Sequence, residues 1–195
     1  MKIAITGHTS GIGKGILEYY SGEHEVIGFS LENGYNINDY NRILEETKEC
    51  DIFINNAYSH YTQSEIVSEW AKVHSNDKHL IISTSSIAAE PLLEIENMFP
   101  HLKPYGDEKY AINKASWNVN HSEALCKSSV IMPGVVETSF YNPYDTEEQN
   151  GVELYNRVME TNSITVDDLV KTIDFIIQSW NGRNFIASMT VLNAY

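Results

Sequence analysis

Apolar residues recur along the chain in two patterns, short unbroken runs and longer stretches with helical spacing. The first run, Ile3-Ala4-Ile5, has the character of a strand covered on both faces. It stops at Thr6-Gly7, and helical spacing begins with Ile12, Ile16, Leu17 and Tyr20. Residues 24–30 predict a second strand. The turn-rich stretch 31–39 is too short for a crossover helix, so residues 35–37 are either a strand stub or coil. A short helix is expected over 39–49, a buried strand over 51–57, a helix over 63–74 and a strand over 79–84. Residues 90–103, with Pro91 and Pro100 and no sustained period, read as an irregular insertion. The longest helical candidate is 105–125; a strand follows at 129–132 and is stopped by Pro133-Gly134. An aromatic and acidic loop at 140–148 precedes an expected helix over 151–160. Thr165 with Asp168 has the form of a capping box opening a helix to about Trp180, and residues 184–192 supply a last strand. Strands alternating with helices predict one α/β domain over 1–195, a doubly wound parallel sheet with helices on both faces.

Glycines at Gly7, Gly11 and Gly13 lie between the first strand and the first helix. Strand, glycine turn and helix start in that order form a phosphate cradle, where backbone N–H groups and the positive end of the helix dipole converge. Larger side chains at Gly7 or Gly13 would keep a pyrophosphate from the backbone. The sheet is therefore expected to be Rossmann-like.

Composition narrows the partners. Twenty-seven acids against 13 bases give a net charge of −14, a surface that repels nucleic acid and anionic membrane. No apolar run approaches a membrane span, and the N-terminus enters a strand without signal-peptide features. A cytoplasmic location is expected. Cys50 and Cys126 then read as buried thiols, and the sequon Asn120-His121-Ser122 has no meaning there. The seven histidines are scattered without metal-ligand spacing, and no metal is expected.

Ligands of open parallel sheets bind at the carboxyl ends of the strands. Those ends are residues 6–13, Ser30, Asn55-Asn56-Ala57, Ser85-Ser86 and residues 133–138, each polar or glycine-rich. Within the long helix, Tyr110 and Lys114 share a face at i, i+4. Thr6-Gly7-x3-Gly11-Ile12-Gly13, Asn55-Asn56-Ala57, Ser85-Ser86, Tyr110-x3-Lys114 and Pro133-Gly134 with Thr138 occur in the order found in short-chain dehydrogenases/reductases, and the chain resembles that family over nearly its whole length.

The resemblance implies an NAD(P)-dependent oxidoreductase acting on a small carbonyl or alcohol. It implies Tyr110 as proton donor and acceptor, and Lys114 binding the nicotinamide ribose and lowering the Tyr110 pKa. Ser86, with Ser85 as the alternative, would hydrogen-bond the substrate carbonyl. Gly7, His8, Thr9, Ser10, Gly11, Ile12 and Gly13 would hold the pyrophosphate side, Ser30, Asn55 and Ala57 the adenosine side, and Pro133, Gly134, Val136 and Thr138 the nicotinamide amide. The chemistry fits those roles: free tyrosine titrates near 10, and lowering that by ~2–3 units takes roughly 3–4 kcal/mol, within reach of an ammonium in a desolvated cleft.

The chain also departs from the family. It is shortened after the second strand, Tyr58 stands where glycine is usual, and 63–74 carries no asparagine for the family's proton relay. An acidic residue that would exclude a 2′-phosphate is absent at Ser30, which favours NADP over NAD. Family members pair through the helix carrying tyrosine and lysine and the one before it, so a homodimer or homotetramer is expected, with Trp117, Leu125, Ile66 and Trp70 as the apolar face. A non-catalytic dinucleotide sensor and a nucleotide-sugar epimerase or reductase are the alternative functions.

Overall fold

A computed structural model describes residues 1–90, 102–138, 163–181 and 184–191. The expected loop at 140–148 and helix at 151–160 lie outside the described residues. The strands are β1 (Lys2–Thr6), β2 (Glu25–Phe29), β3 (Ile52–Asn55), β4 (Leu80–Thr84), β5 (Lys127–Pro133) and β6 (Ser188–Val191). The helices are α1 (Gly11–Tyr20), α2 (Tyr40–Glu46), α3 (Thr62–Val73), α4 (Lys103–Asn120) and α5 (Val166–Asn181). Every strand pairing is parallel, and the order across the sheet is β2-β1-β3-β4-β5-β6.

The unbroken apolar runs are two-sided strands because both faces are covered. Ile3, Ile5, Ile52, Ile54, Leu80 and Ile82 point to one side, against Ile16 of α1 and Leu169, Ile173 and Ile176 of α5. Ala4, Phe53, Ile81 and Val130 point to the other, against Ile43 of α2, Trp70 of α3 and Ile112 of α4. The chain therefore crosses from one face to the other after β2. That reversal makes a crevice beyond the carboxyl ends of β1 and β3.

Several boundaries move. The end of the turn-rich stretch 31–39 forms a short 3-10 turn (Ile37–Asp39) that leads into α2 and overlaps the expected stub or coil of 35–37 only at Ile37. Helix α4 begins at Lys103, two residues before the expected start, with Pro104 in its first turn where a missing N–H costs nothing. It ends at Asn120, whose side chain exchanges hydrogen bonds with the backbone of Ser128 at 2.7 and 2.9 Å and docks β5. Ile66 and Trp70 are fully buried in the core, so the expected apolar outer face loses both; Trp117 and Leu125 are exposed. Cys50 and Cys126 are buried free thiols, as expected. Among the described residues no helix is long and apolar enough to cross a membrane.

Candidate active site

The glycine loop owes its shape to backbone that other residues resist. Gly7 and Gly11 have φ of +72° and +50°, left-handed values. A methyl group at Gly13 would overlap the Gly7 carbonyl oxygen, so α1 can start this close to β1 only with hydrogen there. Ser10 is the N-cap of α1 yet makes no side-chain cap, and no acid sits in the first turn. The positive end of the helix is left facing the loop without a carboxylate of its own. This is a cradle that fits a pyrophosphate.

The neighbouring strand ends are tied to it. The Thr6 hydroxyl accepts from the backbone N–H groups of Asn56 and Ala57 at 2.9 and 3.0 Å. The Asn56 amide donates to the Thr6 carbonyl at 3.2 Å. Thr138 packs over Gly11, while Val136 bridges to Ile164 and the Gly134 N–H donates to Val191, so residues 133–138 border the loop. His8 and Thr9 are half-buried and Ser10 is exposed. The His8 ring lies over Gly28, where a side chain would overlap it.

Two expected contacts point elsewhere. Asn55 is fully buried; its amide donates to the Gln63 carbonyl at 2.9 Å, and the Gln63 amide returns a bond to the Asn55 carbonyl at 2.9 Å. Asn55 therefore shapes the strand end from within rather than facing the trough. Ser30 is turned into its own capping box: its N–H and hydroxyl donate to Asn33 Oδ1 at 2.8 and 3.3 Å, and Asn33 donates to the Gly28 carbonyl.

The expected tyrosine and lysine face outward. Tyr110 is 41% exposed and Lys114 is exposed, with its ammonium 6.0 Å from the Tyr110 ring centroid; both lie on the outward side of α4 with Trp117. The inward stripe of α4 holds Lys109, Ile112, Ala115, Ser116 and Val119. Tyr105 lies one turn before Lys109, giving a second Tyr-x3-Lys frame five residues upstream of the first. Lys109 Nζ donates to Gln63 Oε1 at 2.6 Å and to the Thr84 carbonyl at the end of β4 at 2.9 Å. It sits 5.5 Å from the Tyr105 ring centroid and 5.0 Å from that of Tyr58.

Both serines meet this pair. The Ser85 hydroxyl donates to the Lys109 carbonyl at 3.1 Å, fastening β4 to α4. Ser86 is half-buried, accepts the Ala88 N–H at 3.1 Å and is near enough to the Tyr105 phenol to pull its titration down. Gly106 permits this approach, because a methyl group there would stand 2.6 Å from the Ala88 carbonyl oxygen.

Charge in the cleft is set by burial. Burial pushes the Lys109 ammonium down to about 7, opposed by the Glu108 carboxylate. Burial raises the Tyr105 phenol, with Ser86 pulling the other way and Glu108 adding to the rise. Glu108 accepts a hydrogen bond from the Tyr58 hydroxyl and lies 3.0 Å from His60 Nδ1. The Tyr58 ring meets Tyr105 edge-on at 5.3 Å, so the residue in place of the usual glycine walls the cleft.

Known structures share this arrangement of elements. A 3-alpha-hydroxysteroid dehydrogenase from Pseudomonas sp. B-0831, solved with NADH, superposes with a TM-score of 0.70 over 97% of this chain and 95% of its own, at 18% identity. The chain has the short-chain dehydrogenase fold. A small-chain dehydrogenase in complex with NADPH shares that fold at a TM-score of 0.71 and 17% identity, over 97% of this chain and 96% of its own. So does a 3-ketoacyl-(acyl-carrier-protein) reductase from Brucella melitensis complexed with NADH, at 0.67 and 15%, over 97% and 96%. No protein-family model matches the sequence, and no curated protein matches it either.

Proposed function

We propose that the protein is an NAD(P)-dependent oxidoreductase of the short-chain dehydrogenase/reductase family, acting on a small carbonyl or alcohol with Tyr105 as general acid and base. The observation that carries this reading is that Lys109, with Tyr105 one turn before it, reaches the end of β4 just before Ser86, where the Thr84 hydroxyl bonds Asn56 against the Gly7–Gly13 loop. The nicotinamide group would supply the hydride. Residues 7–13 would hold its phosphates, and residues 133–138 the nicotinamide end. Ser86 orients the substrate oxygen with its hydroxyl, and Tyr105 holds the proton that this oxygen gains or loses. Lys109, one helical turn from Tyr105 with its Nζ 5.5 Å from the ring centroid, would in its charged form offset the phenolate that remains after proton donation. Tyr110 and Lys114 have no part in the step.

A panel of carbonyl compounds, read by oxidation of reduced cofactor, supplies a substrate. Tyr105→Phe should then lower turnover by about 10²–10⁴-fold while cofactor binding persists, and Tyr110→Phe should leave turnover within about twofold of the parent. A Tyr105→Phe enzyme with parental turnover rejects the assignment.

NADP is the favoured cofactor. No carboxylate follows β2 directly: Ser30 and Leu31 stand there, and Glu32 lies in the exposed turn beyond. Fluorescence titration with both reduced cofactors should show NADPH binding the tighter; tighter NADH binding would reverse the preference.

A further inference from the structure

A second polar cluster lies at the opposite end of the sheet, where α3 ends and β4 begins. His74 caps the C-terminal end of α3, is 2% exposed, and has an Nε2 with no hydrogen-bond partner among the described residues. A buried ring nitrogen without a partner is costly. His79 immediately precedes β4, and its Nδ1 lies 2.8 Å from the Cys50 carbonyl oxygen. A carbonyl only accepts, so Nδ1 carries the proton and Nε2 presents its lone pair. Proteins orient metal-binding imidazoles in this way.

Asp77 comes from the turn between them. One ligand atom each from His74, Asp77 and His79 lie within 4.8 Å of one another. The two imidazoles lie 4.4 Å apart between centroids, tilted 45° to each other, and Trp70 walls the cluster at 4.4 Å from His74 and 6.3 Å from His79. Two imidazoles and one carboxylate suit zinc and its late first-row neighbours, whereas magnesium and calcium take oxygen ligands. Three protein ligands leave the fourth tetrahedral position to water.

We propose that His74, Asp77 and His79 bind one zinc-class divalent ion, which fastens the end of α3 to the start of β4. This site stands apart from the trough and does not depend on the oxidoreductase reading. It differs from the expectation of no metal: the proposed ligands come from a helix cap, a turn and a strand entry, a combination without a fixed sequence spacing.

The test uses the untagged full-length protein, stripped with chelator and titrated calorimetrically with zinc alone. One equivalent should bind per chain, and free zinc at a hundredfold over Kd should raise Tm by about 5–10 °C, while magnesium does neither. Cobalt should give the visible absorption of a tetrahedral site. Asp77→Ala, at an exposed position that the fold does not need, and His79→Gln should each weaken zinc binding at least about tenfold with folding intact by circular dichroism. Absence of stoichiometric zinc binding overturns the proposal. So does unchanged affinity in both variants, which would put the ion on other histidines among the seven.

Discussion

Residue by residue, the cleft is controlled by one buried amine. Lys109 is 3% exposed, and its ammonium meets a neutral amide oxygen and a carbonyl rather than a carboxylate. Its folded value near 7 lies below the ordinary lysine value of 10.5. At pH below about 7 the group is charged in both folded and unfolded chains, and the full cost of burial is present. Between about 7 and 10 the unfolded chain binds the extra proton, so this group makes stability rise with pH. Urea denaturation of the cofactor-free protein should show the stability of wild type relative to Lys109→Met increasing from pH 7 to pH 9; a difference that stays level would contradict the burial.

The same residue shows the limit of reading the site from sequence. Tyr105-x3-Lys109 and Tyr110-x3-Lys114 have the same spacing, and spacing alone does not choose between them. The choice lies in angular position: Lys109 falls in line with Ile112, Ser116 and Val119, whereas Lys114 falls in line with Tyr110 and Trp117. A lysine inside the apolar stripe of a helix was the available signal. Ser86 and the glycine loop were legible because each stands at a strand end, where position along the chain and position in space coincide. Asn55 was not, since its side chain turns inward to Gln63, 8 residues away.

Among the elements, helix α4 does most to assemble the site, and its seat depends on Gly106. Glycine inside a helix costs up to about 1 kcal/mol relative to alanine, so on propensity alone Gly106→Ala should stabilise the protein. The 2.6 Å approach of that methyl to the Ala88 carbonyl reverses the sign. Denaturation should report a loss of about 1–3 kcal/mol, with Gly22→Ala, whose methyl meets nothing within 4 Å, as a near-neutral control. A Gly106→Ala protein as stable as its parent would mean that α4 can shift freely against the Ile87–Ala89 turn. The strands themselves were readable because runs such as Ile52–Asn55 carry apolar side chains to both faces. The start of α4 was misplaced because Pro104 reads as a breaker in sequence but serves as a first-turn residue in space.

At the scale of the whole molecule, the sheet and its helices set an anion cradle in a chain of net charge −14. Local backbone dipoles, not the global field, would have to attract the proposed dinucleotide there. The order β2-β1-β3-β4-β5-β6 has a further outcome. Among the described residues β2 is the edge strand on this flank, and the turn Leu31–Asn33 that follows it leaves Leu31 76% exposed. A dinucleotide seated on the proposed cradle would have its adenine end at that open flank and its other end against the Tyr58 and Tyr105 wall. The molecule should accordingly tolerate a tether on one end of its cofactor and refuse it on the other. On chromatography, a resin coupled through the adenine should retain the protein until free cofactor elutes it. A resin coupled through the nicotinamide should let it pass, and equal retention on both would show that the flank is closed.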